Sequence, residues 1–362
     1  ISLRFGTNRP GVFYKALAHQ IANAQNITLN IPINDTQEFY MGKVADMLST
    51  IHASSINVLI VIDGVDEATG DRFNASIFPV PMPSNLKILI SARQMADDNG
   101  PEGWKARLGW DHPVSVATIS LSGLDFDGVY GLLKENGLLS NSGAHNLCSR
   151  VLQLTSGEPL LVRLYVEDLV QLGKHRAPSV EDLGNLRPGY AAYFQRWLDQ
   201  QEQLWSANGS IINRVELESA LAVLSTARGP LERADFLSVV STVSKNSEAL
   251  SAHNYLEPIR RFVIGNGSVS EGYVLNHPKF AEYLREEFFS EVANDQVEKI
   301  FVAWGERIIR ELAADPEGKS GEVPSYLLQY YSQHLQAVGA PLASYMSFLS
   351  DGWLRAWEQY EG

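Results

Sequence analysis

Three carboxylates close an uninterrupted apolar run in residues 57–68 (NVLIVIDGVDEA), and their spacing suits metal-dependent chemistry. A run without alternation is typical of a strand that is covered on both faces, as in a parallel sheet. Asp63 would then lie at the C-terminal end of the strand, where open α/β sheets bind their ligands. Nucleotide hydrolases hold Mg²⁺ with one such carboxylate and polarise the attacking water with a second. The pattern predicts Asp63 as the metal ligand and Asp66 or Glu67 beside the water; a buried strand with an acidic turn is the plainer interpretation.

An arginine follows a second apolar segment at a similar position. Residues 86–91 (LKILIS) are predicted to form another buried strand, and Arg93 comes just after its C-terminal end. Parallel strands bring their C-terminal ends to one edge of the sheet, so Arg93 is expected near Asp63. A guanidinium there can contact a terminal phosphate and report whether it is present. Alone, such an arginine is more often a solvated surface residue; the neighbouring acidic strand favours the phosphate contact.

Composition and charge argue against several functional classes. The 362 residues are 45% hydrophobic and carry a net charge of −13, which suits a globular chain with two or three cores and argues against nucleic-acid binding. No apolar stretch is long enough to span a bilayer, and the N-terminus lacks a signal-peptide pattern. Cys148 is the only cysteine, so no internal disulfide can form. We therefore expect a cytoplasmic protein that does not bind membranes.

The segments around the acidic strand alternate between helix and strand patterns. Apolar residues at intervals of about four predict helices over residues 12–24 and 37–52. A third strand with partial alternation is predicted over residues 113–121. Strands that alternate with helices predict an α/β domain over residues 1–123, built on a doubly wound parallel sheet.

From residue 124 onwards the pattern becomes helical. Short helices over 125–136, 144–155 and 159–172 predict a small helical domain that covers residues 124–188. Gly157 and Pro159 belong to the turn that opens the third of these helices, and proline suits the first helical turn. Without further context, this turn is an ordinary connection between two helices.

Residues 189–290 follow the order of a winged-helix domain. A hairpin is predicted from residues 262–267 and 273–276, and a helix begins at Pro278. Helices followed by a two-stranded wing are typical of this relative of the helix-turn-helix. The helices predicted before the hairpin cover residues 190–205, 216–226, 231–239 and 247–262.

The C-terminal part, residues 291–362, has helical patterns with many aromatic residues. Two amphipathic helices are predicted over residues 325–339 and 342–357. They are interpreted as a helical linker or the start of a sensor domain. A helical cap on the winged helix is the alternative.

Four segments occur in the order found in a known family. VLIVIDGVDEA, NLKILISAR, TSGEPLLVRLYVEDL and LNHPKFAEYL together resemble the core of the STAND signal-transducing nucleotidases, specifically their NACHT-like branch, over roughly residues 1–290. The resemblance implies a P-loop NTPase-type parallel sheet, an all-α lid, a winged helix and C-terminal helices. It implies Asp63 for Mg²⁺, Asp66 and Glu67 for hydrolysis, Arg93 as the phosphate sensor, Gly157 and Pro159 near the adenine, and His277 at the ADP phosphates.

The sequence departs from this family in one respect. The phosphate-binding signature GxxxxGK[ST] is absent, since the nearest match at residues 313–320 lacks its first glycine and follows no strand. In the family, the strand that carries this loop lies between those predicted here over 86–91 and 113–121. We therefore expect an incomplete sheet, and a longer protein whose phosphate loop and effector domain lie upstream of residue 1. For His277, helix capping or half burial is the local alternative.

These observations predict a nucleotide-dependent molecular switch with ATP/ADP and Mg²⁺ as cofactors and slow ATP hydrolysis. By resemblance, ADP holds the closed state. A protein ligand, such as a phage protein, would be sensed by the C-terminal region. Its binding would trigger the exchange of ADP for ATP and homo-oligomerisation. The oligomer would activate the effector in innate immune or antiphage defence.

Two other functions stay open. The first is a DNA-binding transcriptional regulator built on the winged helix. The helix predicted over 247–262 presents Lys245, Arg260 and Arg261 against Glu248 and Glu257, and this balance does not suit an approach to phosphates. The second is a catalytically dead scaffold, which would have no use for an acidic cluster in its sheet.

Overall fold

The computed structural model describes residues 10–32, 36–53, 56–67, 75–79, 81–93, 100–110, 116–139, 143–174, 176–208, 214–245 and 256–361. Within these ranges the chain is mostly helical and contains two sheets of two strands each. No helix in the described part of the chain is long and apolar enough to cross a membrane.

Helices form most of the described chain, and short 3₁₀ and π turns connect several of them. The α-helices are α1 (Pro10–Ala24), α2 (Gln37–Thr50), α3 (Pro101–Arg107), α4 (Phe126–Glu135), α5 (Ala144–Thr155), α6 (Pro159–Gly173), α7 (Tyr190–Asn208), α8 (Arg214–Thr226), α9 (Arg233–Ser244), α10 (Leu256–Ile259), α11 (Pro278–Tyr283), α12 (Glu291–Ala314), α13 (Pro316–Lys319), α14 (Ser325–Ala337), α15 (Leu342–Tyr345) and α16 (Asp351–Glu361). The strands are β1 (Val58–Ile62), β2 (Leu86–Ile90), β3 (Val263–Ile264) and β4 (Val274–Leu275).

The first sheet pairs β1 with β2 in parallel, which confirms both predicted strands. Ile62 lies opposite Ile90 at the end of the ladder, so the chain leaves both strands at the same edge of the sheet. The predicted helices over 12–24 and 37–52 are confirmed as α1 and α2. Their apolar residues recur every three or four positions and share one core with β1 and β2. This core includes Tyr14, Leu17, Ile21, Val44, Leu48, Ile60, Ile62 and Leu86.

The exposure of β1 and β2 corrects the prediction of two buried strands. In β1, Leu59 and Val61 are 63% and 59% exposed, whereas Ile60 and Ile62 are buried, so the strand is covered on one face only. In β2, Leu89 is 52% exposed. The apolar run predicted cover on both faces. Such a run shows which residues could be buried, but it does not show whether other elements cover them.

The third predicted strand, over residues 113–121, is not formed in its described part. Residues 116–121 have no strand structure, and Ile119 and Leu121 are 78% and 92% exposed. Residues 113–115 lie outside the described ranges. A strand needs a neighbour that satisfies its backbone N–H and C=O groups, and no described strand pairs with this segment.

A second hydrophobic core extends from α4 to α16. Its aromatic centre is Phe194 of α7, whose ring lies 5.8 Å from Phe262, 5.5 Å from Phe280 and 5.0 Å from Phe288, between centroids. The five helices predicted between residues 125 and 226 are confirmed as α4 to α8. The core therefore combines residues from all three helical regions that the sequence analysis separated.

The predicted hairpin is confirmed, and one neighbouring helix differs from its prediction. β3 and β4 pair antiparallel, with Val263 opposite Leu275. The helix predicted over 231–239 corresponds to α9, which begins later because Leu231 forms a bridge with Tyr273 instead. Of the helix predicted over 247–262, the described end contains α10 and a 3₁₀ turn.

The C-terminal helices differ from the predicted pattern in two ways. α12 spans 24 residues and was not predicted as a separate element. The helix predicted over 342–357 is divided into α15, a 3₁₀ turn and α16, because Ser350 adopts an extended backbone with φ −73° and ψ 145°. The helix predicted over 325–339 is confirmed as α14.

A polar network inside the C-terminal region joins α12 and α14 to the loop after α8. His334 Nδ1 lies 2.6 Å from Glu298 Oε2, and His334 Nε2 lies 2.7 Å from Tyr326 Oη. Glu298 also pairs with Arg228, whose backbone N–H donates to Tyr326 Oη at 3.0 Å. Burial lowers the pKa of His334, and Glu298 opposes this shift. The side chains of Glu298, His334 and Tyr326 are paired within this network, which connects three elements.

Candidate functional site

The chain leaves β1 and β2 at Asp63 and Ser91, which lie side by side. The Ser91 hydroxyl donates to Asp63 Oδ1 and accepts a hydrogen bond from the Gly64 N–H at 2.9 Å. Gly64 has a φ of 70°, a left-handed conformation that glycine adopts at little cost because it has no Cβ. This turn holds the Asp63 carboxylate beside a hydroxyl at the edge of the sheet.

Asp66 and Arg93 form an ion pair between the segments that follow the two strands. Asp66 Oδ2 lies 2.5 Å from Arg93 Nε, and Asp66 Oδ1 accepts the Arg93 backbone N–H at 3.0 Å. Both carboxylate oxygens therefore bind Arg93, and the Asp66 side chain is only 3% exposed. The Arg93 carbonyl accepts the indole N–H of Trp104 at 3.0 Å. Asp66 positions Arg93 in this conformation, and its role in water activation stays a prediction.

The same guanidinium contacts a distant part of the chain. Arg93 Nη1 pairs with Glu282 Oε1 of α11, which lies 189 positions later in the sequence. Burial alone would lower the pKa of Arg93, but Asp66 and Glu282 together raise it above its ordinary value. The contact brings the edge of the first sheet against α11.

Glu158 is an anion shared by the beginnings of α6, α7 and α11. It caps α6 by accepting the Leu161 N–H at 2.6 Å, and the same oxygen accepts the Tyr190 hydroxyl at 2.5 Å. Lys279 Nζ lies 3.4 Å from the other carboxylate oxygen. Burial would raise the pKa of Glu158, but hydrogen bonds from Tyr190 and Leu161 and the charge of Lys279 hold it below its ordinary value.

Gly157 and Pro159 lie on either side of Glu158. Gly157 has a φ of 75°, and its carbonyl accepts the Leu124 N–H at 2.7 Å. A Cβ at residue 157 would overlap the Leu124 carbonyl, so glycine allows the two segments to approach closely. Pro159 is the first residue of α6 and is exposed. The nucleotide contacts of both residues stay predictions.

His277 is the N-cap residue of α11. Its Nδ1 accepts the Lys279 N–H at 3.1 Å, so a neutral ring carries its proton on Nε2. Burial lowers the pKa of the imidazole; Glu158 opposes this shift and Arg93 adds to it. His277 therefore caps a helix and is half-buried, which is the alternative to a phosphate contact that the sequence analysis gave. The contact with ADP phosphates stays a prediction, for which Nε2–H would be the donor.

The structure brings most of the predicted site residues into one region. Asp63, Asp66 and Arg93 meet at the sheet edge, and the charges of Arg93 and Glu158 both act on His277. Glu67 ends the 3₁₀ turn Val65–Glu67 directly after Asp66, but its side chain lies outside the described part of the chain.

Five residues at this site were not predicted: Ser91, Glu158, Tyr190, Lys279 and Glu282. Ser91 could have been found, because it stands in LKILISAR between the strand and Arg93. Lys279 and Glu282 belong to the LNHPKFAEYL segment, but nothing in the sequence indicates which distant residues they contact.

The donors at the sheet edge match Mg²⁺ in type. A carboxylate and a hydroxyl are hard oxygen ligands, and Mg²⁺ is commonly held by one or two carboxylates together with phosphate oxygens and water. Across the described ranges, no group of three or more His, Cys, Asp or Glu could hold a metal ion by itself. A cation beside Asp63 and Ser91 would therefore need further ligands from water or a bound phosphate.

Comparisons with known proteins do not assign this chain to a family. A scan against protein-family models found no match, and no curated protein matched the sequence. The function must therefore be inferred from the residues and their geometry.

Proposed function

We propose that this chain belongs to an ATP/ADP-dependent molecular switch of the STAND class, of the NACHT-like type. β1 and β2 are then the Walker B and sensor strands of an incomplete P-loop-type sheet, and residues 189–290 form a winged helix. Asp63 and Ser91 would hold Mg²⁺, while Arg93 and the Nε2–H of His277 would contact phosphate oxygens. Mg²⁺ would neutralise phosphate charge at the sheet edge.

A single contact supports this proposal most strongly. Arg93 pairs with Glu282 of α11, the helix that His277 caps, although Arg93 and Glu282 are 189 positions apart. The family resemblance expects the sensor arginine and the winged-helix histidine to face one nucleotide. The contact supports the proposal because it holds Arg93 against the helix that His277 caps, as the proposed closed state would.

The switch would work through the difference between ADP and ATP. ADP favours the closed state only if it binds that state more tightly than the open one. A protein ligand bound by the C-terminal region, such as a phage protein, would open the molecule and allow ATP to enter. Open protomers would then form a homo-oligomer that activates an effector in the cytoplasm.

Such a switch also requires a phosphate-binding loop, which residues 1–362 do not contain. Backbone N–H groups and a lysine normally balance the phosphate charge. The experiment must therefore use the full-length gene product.

The test is a calorimetric titration of the full-length gene product with ATP and ADP in the presence of Mg²⁺. Both nucleotides should bind, and Asp63→Ala should weaken Mg²⁺-dependent ATP binding by more than about tenfold, since even changes outside the ligand shell cost that much. Asp46→Ala is the matched control, because Asp46 is an exposed carboxylate on α2, a helix that packs in the same hydrophobic core as β1. Absence of nucleotide binding, or equal binding by Asp63→Ala and the wild type, would contradict the proposal.

The contacts of Arg260 and Arg261 within the chain argue against the DNA-binding alternative. Arg261 donates to Asp168 at 2.5 Å and to the Leu164 carbonyl at 3.1 Å. Arg260 donates to the Gly265 carbonyl at 2.7 Å. Both are engaged within the chain, whereas phosphate contacts need cations that are available to a partner. The scaffold alternative is tested by the same titration, because a scaffold would bind no nucleotide.

A further inference from the structure

α11 carries two opposite charges that contact two different parts of the chain. Lys279 Nζ lies 3.4 Å from Glu158 at the start of α6, and Glu282 pairs with Arg93 at the sheet edge. Lys279 and Glu282 are three positions apart, so they are neighbours on one face of the helix. One short helix thus contacts both the lid region and the residues that follow β2.

The other face of α11 is fixed in the second core. Phe280 and Tyr283 are buried; the Phe280 ring stacks on Phe262 with a centroid distance of 4.7 Å, and the Tyr283 ring stacks on Tyr190 at 5.5 Å. α11 therefore moves with the helices around it. A contact that holds Glu282 to Arg93 also holds the sheet edge to the second core.

Arg93 is shared by two unequal carboxylates. Asp66 binds Nε and the backbone N–H, and its side chain is 3% exposed, whereas Glu282 binds Nη1 and its side chain is 36% exposed. Asp66 is therefore a fixed anchor, while Glu282 is in contact with solvent and can be exchanged. Glu282 accepts a hydrogen bond from Nη1 of Arg93. A guanidinium can donate the same N–H to a phosphate oxygen.

We infer that Glu282 is an internal competitor of the terminal nucleotide phosphate for Arg93. This inference rests on the proposed function, since it requires Arg93 to reach that phosphate. While Glu282 holds Arg93, the sheet edge stays docked on α11. The terminal phosphate of ATP displaces the carboxylate, whereas ADP lacks that phosphate and leaves the contact in place. One charged acceptor replaces another, and no covalent bond changes.

The experiment measures ATP and ADP affinities by calorimetry for the full-length wild type and Glu282→Gln. Glutamine keeps the shape of the side chain and removes its charge. ATP affinity should rise about three- to tenfold and ADP affinity should change less than about twofold, as expected for a half-exposed charged contact. The matched control is Glu287→Gln, which removes the same charge from an exposed position in the adjoining π turn Leu284–Phe288 and should leave both affinities unchanged.

The outcomes separate this inference from the proposed function. If the wild type binds both nucleotides and Glu282→Gln keeps the wild-type ratio of ATP to ADP affinity, Glu282 is not a competitor and the proposed function stands. If the wild type binds neither nucleotide, the proposed function is wrong and the role of Glu282 is wrong with it. Glu282→Ala is the second variant, and its thermal unfolding shows whether the fold is retained.

Discussion

At the scale of single residues, the site depends on how the donors of Arg93 are divided. Asp66 takes Nε and the backbone N–H, and Glu282 takes Nη1. Asp66, which was predicted as a hydrolytic residue, is therefore a partner of Arg93 in this conformation. Measurements of stability and turnover distinguish these two roles.

Asp66→Asn should reduce stability even when no nucleotide is present. It removes the charge that binds Arg93, and the expected loss is about 1.5–3 kcal/mol in the free energy of unfolding. Urea unfolding of the full-length gene product measures this loss. Glu67→Gln is the comparison, for which we expect slower ATP turnover with a smaller loss of stability. Wild-type stability of Asp66→Asn would show that the ion pair contributes little.

His277 should make stability depend on pH. Burial lowers its folded-state pKa below the ordinary 6.5. The unfolded chain therefore binds a proton at higher pH than the folded chain. The contribution of the neutral His277 ring to the free energy of unfolding is thus present above pH 6.5 and is lost as the pH falls towards the folded-state pKa. His277→Asn keeps an N-cap side chain and cannot titrate.

The free energy of unfolding of the wild type, minus that of His277→Asn, should therefore decrease as the pH falls from about 7.5 to about 5.5. Denaturant unfolding at both pH values measures this difference. A difference that does not change with pH would show that His277 keeps its ordinary pKa in the folded protein.

At the scale of elements, local patterns predicted most helices and both strands of the first sheet, because hydrophobic period is a property of neighbouring residues. The same patterns did not show that one face of β1 is exposed, since the elements that cover a strand come from distant parts of the chain. Asp63 and Arg93 were predicted because each follows a strand, and His277 was predicted because its segment resembles that of a known family. Glu282 was not, because its partner is 189 positions away.

The network around Glu298 should be a major contribution to the stability of the C-terminal helices. Glu298 pairs with Arg228 and His334, and its removal leaves both without their shared carboxylate. Glu298→Ala should cost about 3 kcal/mol in the free energy of unfolding, as is typical when one partner of a buried pair is removed. Glu306→Ala, an exposed change on the same helix, is the control. An equal effect of both variants in urea unfolding would contradict this role.

At the scale of the whole molecule, two hydrophobic cores meet at a group of charges. One core contains β1 and β2, the other extends from α4 to α16, and the pair of Arg93 with Glu282 is one described link between them. Partly exposed ion pairs contribute little free energy, so a link of this kind can be broken and formed again. This property suits a switch.

His277→Ala should weaken the closed state of the full-length gene product. In the proposed switch, this change removes a charge-assisted hydrogen bond to ADP worth about 1.5–3 kcal/mol, so ADP release should be about ten- to a hundredfold faster and oligomers without ligand should increase. Release of a fluorescent ADP analogue and size-exclusion chromatography measure the two effects. His277→Asn keeps the cap and should release ADP equally fast. Fast release by the alanine variant alone would assign the effect to helix capping.

The central claim, that ADP holds the resting state, is tested most directly by identifying the nucleotide retained by the purified full-length gene product. The protein is denatured, and the released nucleotides are separated by chromatography and quantified against the protein. We expect about one ADP per chain, because a tightly bound ligand stays with the folded state. Protein that is free of nucleotide and does not bind ADP at about 1 mM would contradict the claim.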